Sequence, residues 1–456
     1  MQTCCEQAPP PRKCMSACLL TPSWWRGILD PSIYKSTLFT YSLLTTFRFT
    51  EGVSMVPAMG EPIIRTVSRG VNQSGVRDHN VRLLLTLLQR HGPMAGSDLA
   101  RLANLSPQTV SIILRELESE GLLARGTPVK GRVGKPSIPM RLAEGGVLSL
   151  GCKIGRRSAV LLLADFRGTV RQELRLTYDY PMPEAIFAFL RQGIDTILSQ
   201  CSPEERSRVC GIGIGTPFEL WKWSELVGAP AKDFASWRHV DYQAELARFT
   251  DLPVQVVNDA TAGCQAEHIY GRGKEFRDYA YFFIGAFVGG GIVLNHSVYQ
   301  GHLGNAGALG SLRSFGPQGE SQQLIDTASI HLLEARLVEH GHDPRELWTQ
   351  PQDWSGFGRL VDPWIGRTAQ ELAKASLSVC AVIDFEAIVI DGAFPDAVKH
   401  ELVERTRRYL INQDMRGLVA PQIEAGVVGF NARAIGAATS PLFERYFLNG
   451  NLRLRG

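Results

Sequence analysis

Between Val76 and about Arg141 the apolar positions repeat first with a helical period and then in extended runs. Val81, Leu84, Leu85, Leu87 and Leu88 fall on one helical stripe, which His91-Gly92-Pro93 ends. Ser97 is placed to cap a short second helix over 98–103. Ser106 is placed to cap a third, with Pro107 at the favoured first helical position. That third helix carries Val110, Ile113, Leu114 and Leu117 as its apolar underside and stops near Gly121. Leu122-Leu123 then opens an extended pair around the turn Lys130-Gly131-Arg132-Val133-Gly134-Lys135-Pro136.

After Gly145 the pattern changes to alternating strands and helices. Runs 148–154, 159–164 and 170–178 read as strands, 183–200 as a helix, 210–216 as a glycine-laced strand and 254–257 as a buried one. A second set follows: strands 279–284 and 291–294 around a glycine turn, a helix near 324–339, and a strand at 387–390. Strand-rich starts followed by helices, twice over, predict two related α/β lobes facing a cleft. The likeness is one of pattern only; no residue-by-residue repeat is visible. Residues 1 to about 70 show no sustained period. They are expected to be a poorly structured extension, or an over-extended start with Met55 or Met59 as the true initiator. The expected organisation is therefore an extension over 1–70, a head over 71–145 and a body over 146–456.

Charge sharpens this division. The 456 residues carry a net charge of only +3, so nothing about partners rests on the total. Between Arg77 and Arg141, however, ten basic residues face five acidic ones, whereas from Leu142 onward 31 basic face 36 acidic. A small basic module on a mildly acidic body suggests a polyanion-binding head. Nine cysteines without a C-x-x-C pair predict neither a disulfide scaffold nor a metal site; the five beyond residue 100 read as small buried apolar residues in a reducing compartment. No secretory signal is seen. The apolar stretch 279–295, interrupted by Gly285 and Gly289 to Gly291, fits paired strands better than a membrane span. A soluble, cytoplasmic protein is expected.

The head reads as a winged helix-turn-helix. Ala100 sits where two helices cross closely, and Asn104 lies in the turn, where a left-handed backbone is needed. Ser106, Gln108, Thr109, Ser111 and Arg115 remain outward on the third helix, suited to base edges and phosphates of double-stranded DNA. Lys130, Arg132 and Lys135 stand among glycines on the expected wing, where they would touch backbone or minor groove. Arg132→Ala is expected to weaken binding to all DNA, and Gln108→Ala to alter preference among sequences.

The body contains short glycine motifs that are weak singly and ordered together. Leu150-Gly-Cys-Lys-Ile-Gly155 resembles the first phosphate loop of the actin-like sugar-kinase fold. Val257-Asn258-Asp259-Ala260 resembles its sugar-binding and catalytic segment, and Ile284-Gly-Ala-Phe-Val-Gly-Gly-Gly-Ile292 its second phosphate loop. Gly301-His-Leu-Gly-Asn-Ala-Gly-Ala-Leu-Gly310 resembles the segment that follows, and Val389-Ile-Asp-Gly-Ala393 the nucleotide-flanking strand and turn. From about Val76 the whole chain resembles the ROK family (repressors, open reading frames and kinases), closest to its transcriptional-regulator branch such as the xylose repressors. The resemblance implies a winged helix-turn-helix followed by a two-lobed, ribonuclease-H-like body, usually dimeric.

The departures bear on activity. The family's kinases have an acidic residue where this chain has Lys153, and Gly-Thr-Gly where it has Gly285-Ala286-Phe287. The positions of their Glu-x-Gly-His motif hold Ala308 and Ser311, and the expected cysteine-rich zinc motif is replaced by a stretch, Arg313 to Leu324, without cysteine. Asn258 and Asp259 remain, either to cap the next helix or to meet a ligand. Asn305 and Thr216 are further ligand candidates, with Gln322 and Gln323 behind them. These features predict no kinase activity, no metal and no cofactor. They predict a regulator, read as a repressor of carbohydrate metabolism, released from a palindromic operator by a small carbohydrate or sugar phosphate. The alternative is an ATP-dependent sugar kinase with a DNA-binding appendage, in which Asp259 would be the catalytic base.

Overall fold

The computed structural model describes residues 73–128, 138–316 and 318–448. The expected N-terminal extension and the wing residues Lys130, Arg132 and Lys135 lie outside them. Three helices open the described residues: α1 (Gln73–His91), α2 (Gly96–Ala103) and α3 (Pro107–Ser119). Gly92 ends α1 with φ of 75°. Asn104 closes α2 at φ 52°, ψ 42°, the left-handed turn expected of it. Ser97 does not cap α2, because the helix starts two residues earlier than expected, behind Ala95, whose carbonyl accepts the Leu99 N–H. A short antiparallel pair follows, β1 (Leu123–Arg125) with β2 (Met140–Leu142), extended by a bridge from Met140 back to Met94.

The first lobe runs β3 (Leu148–Ile154), β4 (Ser158–Asp165), β5 (Val170–Thr177), α4 (Pro183–Ser199), β6 (Val209–Thr216), β7 (Val254–Asn258) and α5 (Asp259–Tyr270). Its sheet order is β5-β4-β3-β6-β7, antiparallel through the first three strands and parallel afterwards. β7 was expected to be buried. It forms the sheet edge instead, with every residue partly accessible or exposed and Val256 43 % exposed.

The second lobe repeats this order. β8 (Tyr279–Ile284), β9 (Val288–Leu294) and β10 (Ser297–Tyr299) form an antiparallel meander. A small hairpin, β11 (Arg313–Phe315) with β12 (Ser321–Gln323), leads to α6 (His331–Glu339) and the long α7 (Gly358–Val382). β13 (Ala387–Gly392), α8 (Asp396–Leu410), β14 (Gln422–Ala425) and α9 (Ala432–Tyr446) complete it. The sheet reads β10-β9-β8-β13-β14, the counterpart of the first strand for strand. The single helix expected near 324–339 is broken at Ser329, leaving a short turn of helix, Ile325–Ala328, before α6.

Gly289 to Gly291 do not make a turn. They lie inside β9, where a Cβ at Gly289 would sit 2.7 Å from the Ala260 Cβ and one at Gly291 would run into Cys264. The turn is Gly285-Ala286-Phe287, and the glycines let α5 approach the second sheet. α9 makes an even closer approach to the first. Added Cβ atoms at Gly151 and Gly213 would collide with the Ala434 and Ala437 carbonyls of α9, and one at Gly436 with the Ala262 carbonyl of α5. A Cβ cannot be accommodated by backbone contacts of this kind.

The head and body share one hydrophobic cluster. Leu84, Leu85, Leu88, Leu99, Val110, Ile113 and Leu117 of the head pack in it with Phe166, Cys210, Leu442 and Phe447 of the body. All five cysteines among the described residues are buried and free.

Candidate functional site

The head presents one face of α3. Ser106 accepts the Thr109 N–H at its Oγ (3.1 Å), and the two hydroxyls lie 2.8 Å apart, so both close the helix N-terminus. Gln108 and Ser111 are exposed, and their side chains make no hydrogen bond among the described residues. Arg115 is exposed and its Nε donates to the Ser111 carbonyl (3.2 Å). The underside, Val110, Ile113, Leu114 and Leu117, is buried and fixes the helix in the head. Gln108, Ser111 and Arg115 stand at helical offsets of three, four and seven, which place them on one outward strip. Ile112, 43 % exposed, shares that strip and does not figure in the sequence reading, which follows only the buried stripe and the polar outward side chains. An outward apolar group there suits contact with a thymine methyl.

The second site is a cleft of about 580 Å³ between the two lobes of the body. It is bounded by the β3–β4 turn, the start of α5, the β8–β9 turn, the segment around Asn305 and the start of α9. Asn258 and Asp259 both line it. Asn258 caps α5, its Oδ1 accepting the Ala260 and Thr261 N–H groups at 3.0 Å. Asp259, 8 % exposed, is held by Arg433, whose Nη1 donates to its Oδ2 at 2.8 Å. Arg433 was not read from the sequence: it lies in the first turn of α9, far along the chain from Asp259, and no local pattern announces it.

Asn305 lines the cleft with no side-chain hydrogen bond among the described residues; Gln323, Ala308 and Ser311 line it too. Thr216 does not. Its hydroxyl lies 3.2 Å from the Tyr242 hydroxyl, outside the lining. Gln322 is likewise turned aside, donating to Glu320 on the hairpin (2.9 Å).

The two phosphate-loop segments are filled from within. The Lys153 Nζ donates to the Ser158 carbonyl (3.1 Å) and lies within 3.3 Å of its Oγ; a Cβ on Gly155 would come 2.6 Å from that nitrogen. Burial pushes the Lys153 amine well below the usual lysine range, and the nearby Arg433 adds to this while Asp259 opposes it. The Phe287 ring, in the turn that opens the second segment, packs 5.3 Å from the Trp223 ring and 5.2 Å from the His331 ring. The Arg156 guanidinium lies 5.5 Å from Phe287 and that of Arg433 4.6 Å from Phe283. Asp391, in the expected nucleotide-flanking turn, is fully buried, and accepts the Gly429 N–H (2.8 Å) and Gly392 N–H (2.9 Å); desolvation raises its carboxyl to about 6.

Among the described residues no cluster of three or more His, Cys, Asp or Glu side chains is arranged to hold a metal ion, and no helix is long and apolar enough to cross a membrane.

α9 connects the two sites. Arg433 begins it in the cleft. Leu442, on its last turns, and Phe447 just after it enter the core of the head. The Leu448 N–H then donates to the Thr86 Oγ1 of α1 (3.0 Å). Further ties cross the same seam: Gln89 donates to the Ile269 carbonyl (3.0 Å) and Arg90 to the His296 carbonyl (3.2 Å).

Residues 149–320 match the ROK family and residues 82–129 the MarR family. An uncharacterized protein, y4fQ of Sinorhizobium fredii, is 25 % identical over 81 % of this chain and 92 % of its own length. The xylose repressor of Bacillus subtilis is 24 % identical over 53 % of this chain and 62 % of its own length, so the alignment spans less than two thirds of that repressor. The bifunctional enzyme NanE/NanK of Brucella melitensis is 31 % identical over 41 % of this chain and 35 % of its own length. In fold, the chain is similar to the crystal structure of a ROK family transcriptional regulator, a homologue of the E. coli MLC protein. That likeness covers 81 % of this chain and 98 % of the other, with a TM-score of 0.57 at 20 % identity. The chain thus carries a ROK family domain, folded as two actin-like lobes, behind a MarR-type helix-turn-helix.

Proposed function

We propose that this protein is a DNA-binding transcriptional repressor whose body senses a carbohydrate-like effector in the interlobe cleft. The observation that carries this reading is α9. One helix holds the cleft's Asp259 at its first turn and part of the DNA-binding head's core at its last. An effector that competes for Asp259 loosens Arg433, and α9 has the contacts to pass that change to α1. The effector acts only in so far as it binds the two arrangements with different affinity. The likeness to xylose repressors supports the sign and the effector class.

Lys153 close against Gly155, and a bulky Phe287 in the turn before the second glycine segment, support a cleft that does not transfer phosphate. Phosphoryl transfer depends mainly on placing the phosphates among close backbone amides and cations, and a base such as Asp259 supplies little without that placement. The kinase alternative is supported by matches to kinases, NanE/NanK of Brucella melitensis and an N-acetylmannosamine kinase of Haemophilus influenzae among them. A symmetric homodimer presenting two heads would read a palindromic operator with half-sites spaced by one or more helical turns.

Selection from fragmented DNA of the source organism tests the reading. The full chain is incubated with the fragments, and those retained are sequenced. The expected result is enrichment of one palindromic motif; uniform retention of all fragments contradicts it. Production of ADP above background from ATP, magnesium and a sugar panel, abolished by Asp259→Ala, would establish the kinase instead.

A further inference from the structure

The cleft's charge inventory says more about its occupant than its shape does. Five basic side chains line it, Lys153, Arg156, Arg157, Lys222 and Arg433, against three acidic ones, Glu219, Asp259 and Asp326. Two of these are tied to each other: Lys222 pairs with Glu219 at 2.6 Å. Asp326 accepts the Gln323 N–H (3.0 Å) and pairs with no cation among the described residues. Arg156 and Arg157 share a single carboxylate behind them, Glu334, at 2.6 and 3.6 Å. Arg433 pairs with Asp259, and Lys153 has only Ser158 oxygens as hydrogen-bond partners among the described residues.

The guanidinium groups are also under-used as donors. Arg156 Nε and Arg433 Nε are buried and have no hydrogen-bond acceptor among the described residues. A buried donor without an acceptor costs roughly 1–3 kcal/mol, more when charged. Both cations flank the β8–β9 turn, through Phe287 and Phe283 respectively, and so border the same part of the cleft. Elsewhere in the lining, Asn305, Ser311 and Gln323 offer side chains without hydrogen bonds to other described residues. Neutral hydrogen-bonding groups and cations lining one cleft suit a molecule that carries both hydroxyls and a negative group.

We propose that the effector of this cleft is an anionic polyol, a sugar bearing a carboxylate or a phosphate ester. Its negative group sits in the corner made by Lys153, Arg156 and Arg433, and its hydroxyls meet Asn305, Ser311 and Gln323. This inference rests on the cleft being an effector site, as proposed above. Arg and carboxylate or phosphate groups match in planar, paired geometry, and the low-dielectric setting strengthens the pairing. Burial holds the Lys153 amine toward its neutral form in the free protein, and an arriving anion favours its charged form.

The test is isothermal titration of the full chain with a panel in which each common pentose and hexose is paired with its aldonate, its uronate and its terminal phosphate ester. At least one charged member is expected to bind ten or more times tighter than its neutral parent. Lys153→Met, which conserves volume, and Arg156→Gln should each bring that pair within about threefold. Whether the carboxylates or the phosphate esters carry the preference identifies the source of the charge. Neutral parents binding as well as their charged partners would overturn the anionic assignment and leave sugar sensing intact. Absence of binding by every member at 10-fold molar excess over millimolar protein, roughly the reach of titration, would overturn both.

Discussion

Arg433 and Asp259 form the contact on which the cleft turns, and the two differ in how far the chain announces them. Asp259 stands out beside Asn258 at a strand end before a helix. Arg433 acquires meaning only when α9 brings it to Asp259, 2.8 Å away. Two glycines make the same point about packing. Gly213→Ala drives a methyl into the Ala437 carbonyl and is expected to destabilise the chain by about 3 kcal/mol in urea unfolding, the usual size of overpacking against backbone. Gly356→Ala, at a position with open space around it, should change stability by about 0.5 kcal/mol or less. The sequence shows both as glycines and cannot separate them, since the difference lies in what the fold brings opposite.

At the seam below the head, His268 gives a pH signature. Its ring lies within hydrogen-bonding distance of the His296 carbonyl (3.0 Å) and the Tyr279 hydroxyl (3.3 Å), and desolvation together with the nearby Arg90 lowers it to about 4 from 6.5. The unfolded chain therefore binds a proton on this ring between about pH 6.5 and pH 4 that the folded chain does not. Its contribution to stability is complete above that window and shrinks as pH falls through it. Asp391, raised to about 6, works in the opposite sense over part of the same range, so the comparison must be with a variant. Between pH 7 and pH 5 the parent chain should lose about 1–2 kcal/mol more stability than His268→Gln, measured by urea unfolding. Equal losses would show that His268 does not set this dependence.

Elements whose ends are decided locally are legible in the amino-acid sequence. Ser106 and Pro107 open α3, Asn104 closes α2, and the strands β3, β8 and β13 follow from short apolar runs. Ser97 failed as a cap because the helix begins behind Ala95, two residues earlier, which leaves Ser97 inside its first turn. α9 was not legible. Its buried face includes Ala432, Ala434, Gly436, Ala437 and Ala438, small residues whose value is close approach to β3, β6 and α5 rather than bulk. The glycines of β9 misled for the same reason, since helix packing and a tight turn ask for the same residue. On this scale the sharpest expectation concerns Thr86. Its hydroxyl donates to the Arg82 carbonyl (2.7 Å) and receives the Leu448 N–H, the last polar tie between α9's end and α1 among the described residues. Thr86→Val should leave ligand binding by the cleft in place. The effector-induced change in DNA affinity should shrink about threefold or more, read by titrating labelled duplex with and without effector. An unchanged response would place the coupling elsewhere.

Across the molecule, two sheets with the same strand order enclose a cleft, and a basic head shares a hydrophobic core with the far end of the helix that closes it. The duplicated pattern of strands and helices was readable as two lobes because each half opens with apolar strand runs joined by short turns before its helices, although the third strand of the second lobe, β10, was not read. The tie between lobe and head was not, since it depends on Leu442 and Phe447 meeting Leu84 and Leu85 across most of the chain length. On the head, Gln108 and Ile112 share α3's exposed strip with Arg115. Gln108→Ala is expected to change which duplexes are preferred, whereas Arg115→Ala should weaken binding to all sequences and reduce its salt dependence. The most direct measurement is fluorescence anisotropy of the full chain on the selected palindromic duplex and on a scrambled duplex of equal length, at fixed salt, with and without a ligand found by titration. A ligand-released repressor should bind the palindrome about 10³ or more times tighter than the scrambled duplex, and fall toward the scrambled value when ligand saturates the cleft. Equal affinity for the two duplexes, or a palindrome affinity that saturating ligand leaves unchanged, would contradict it.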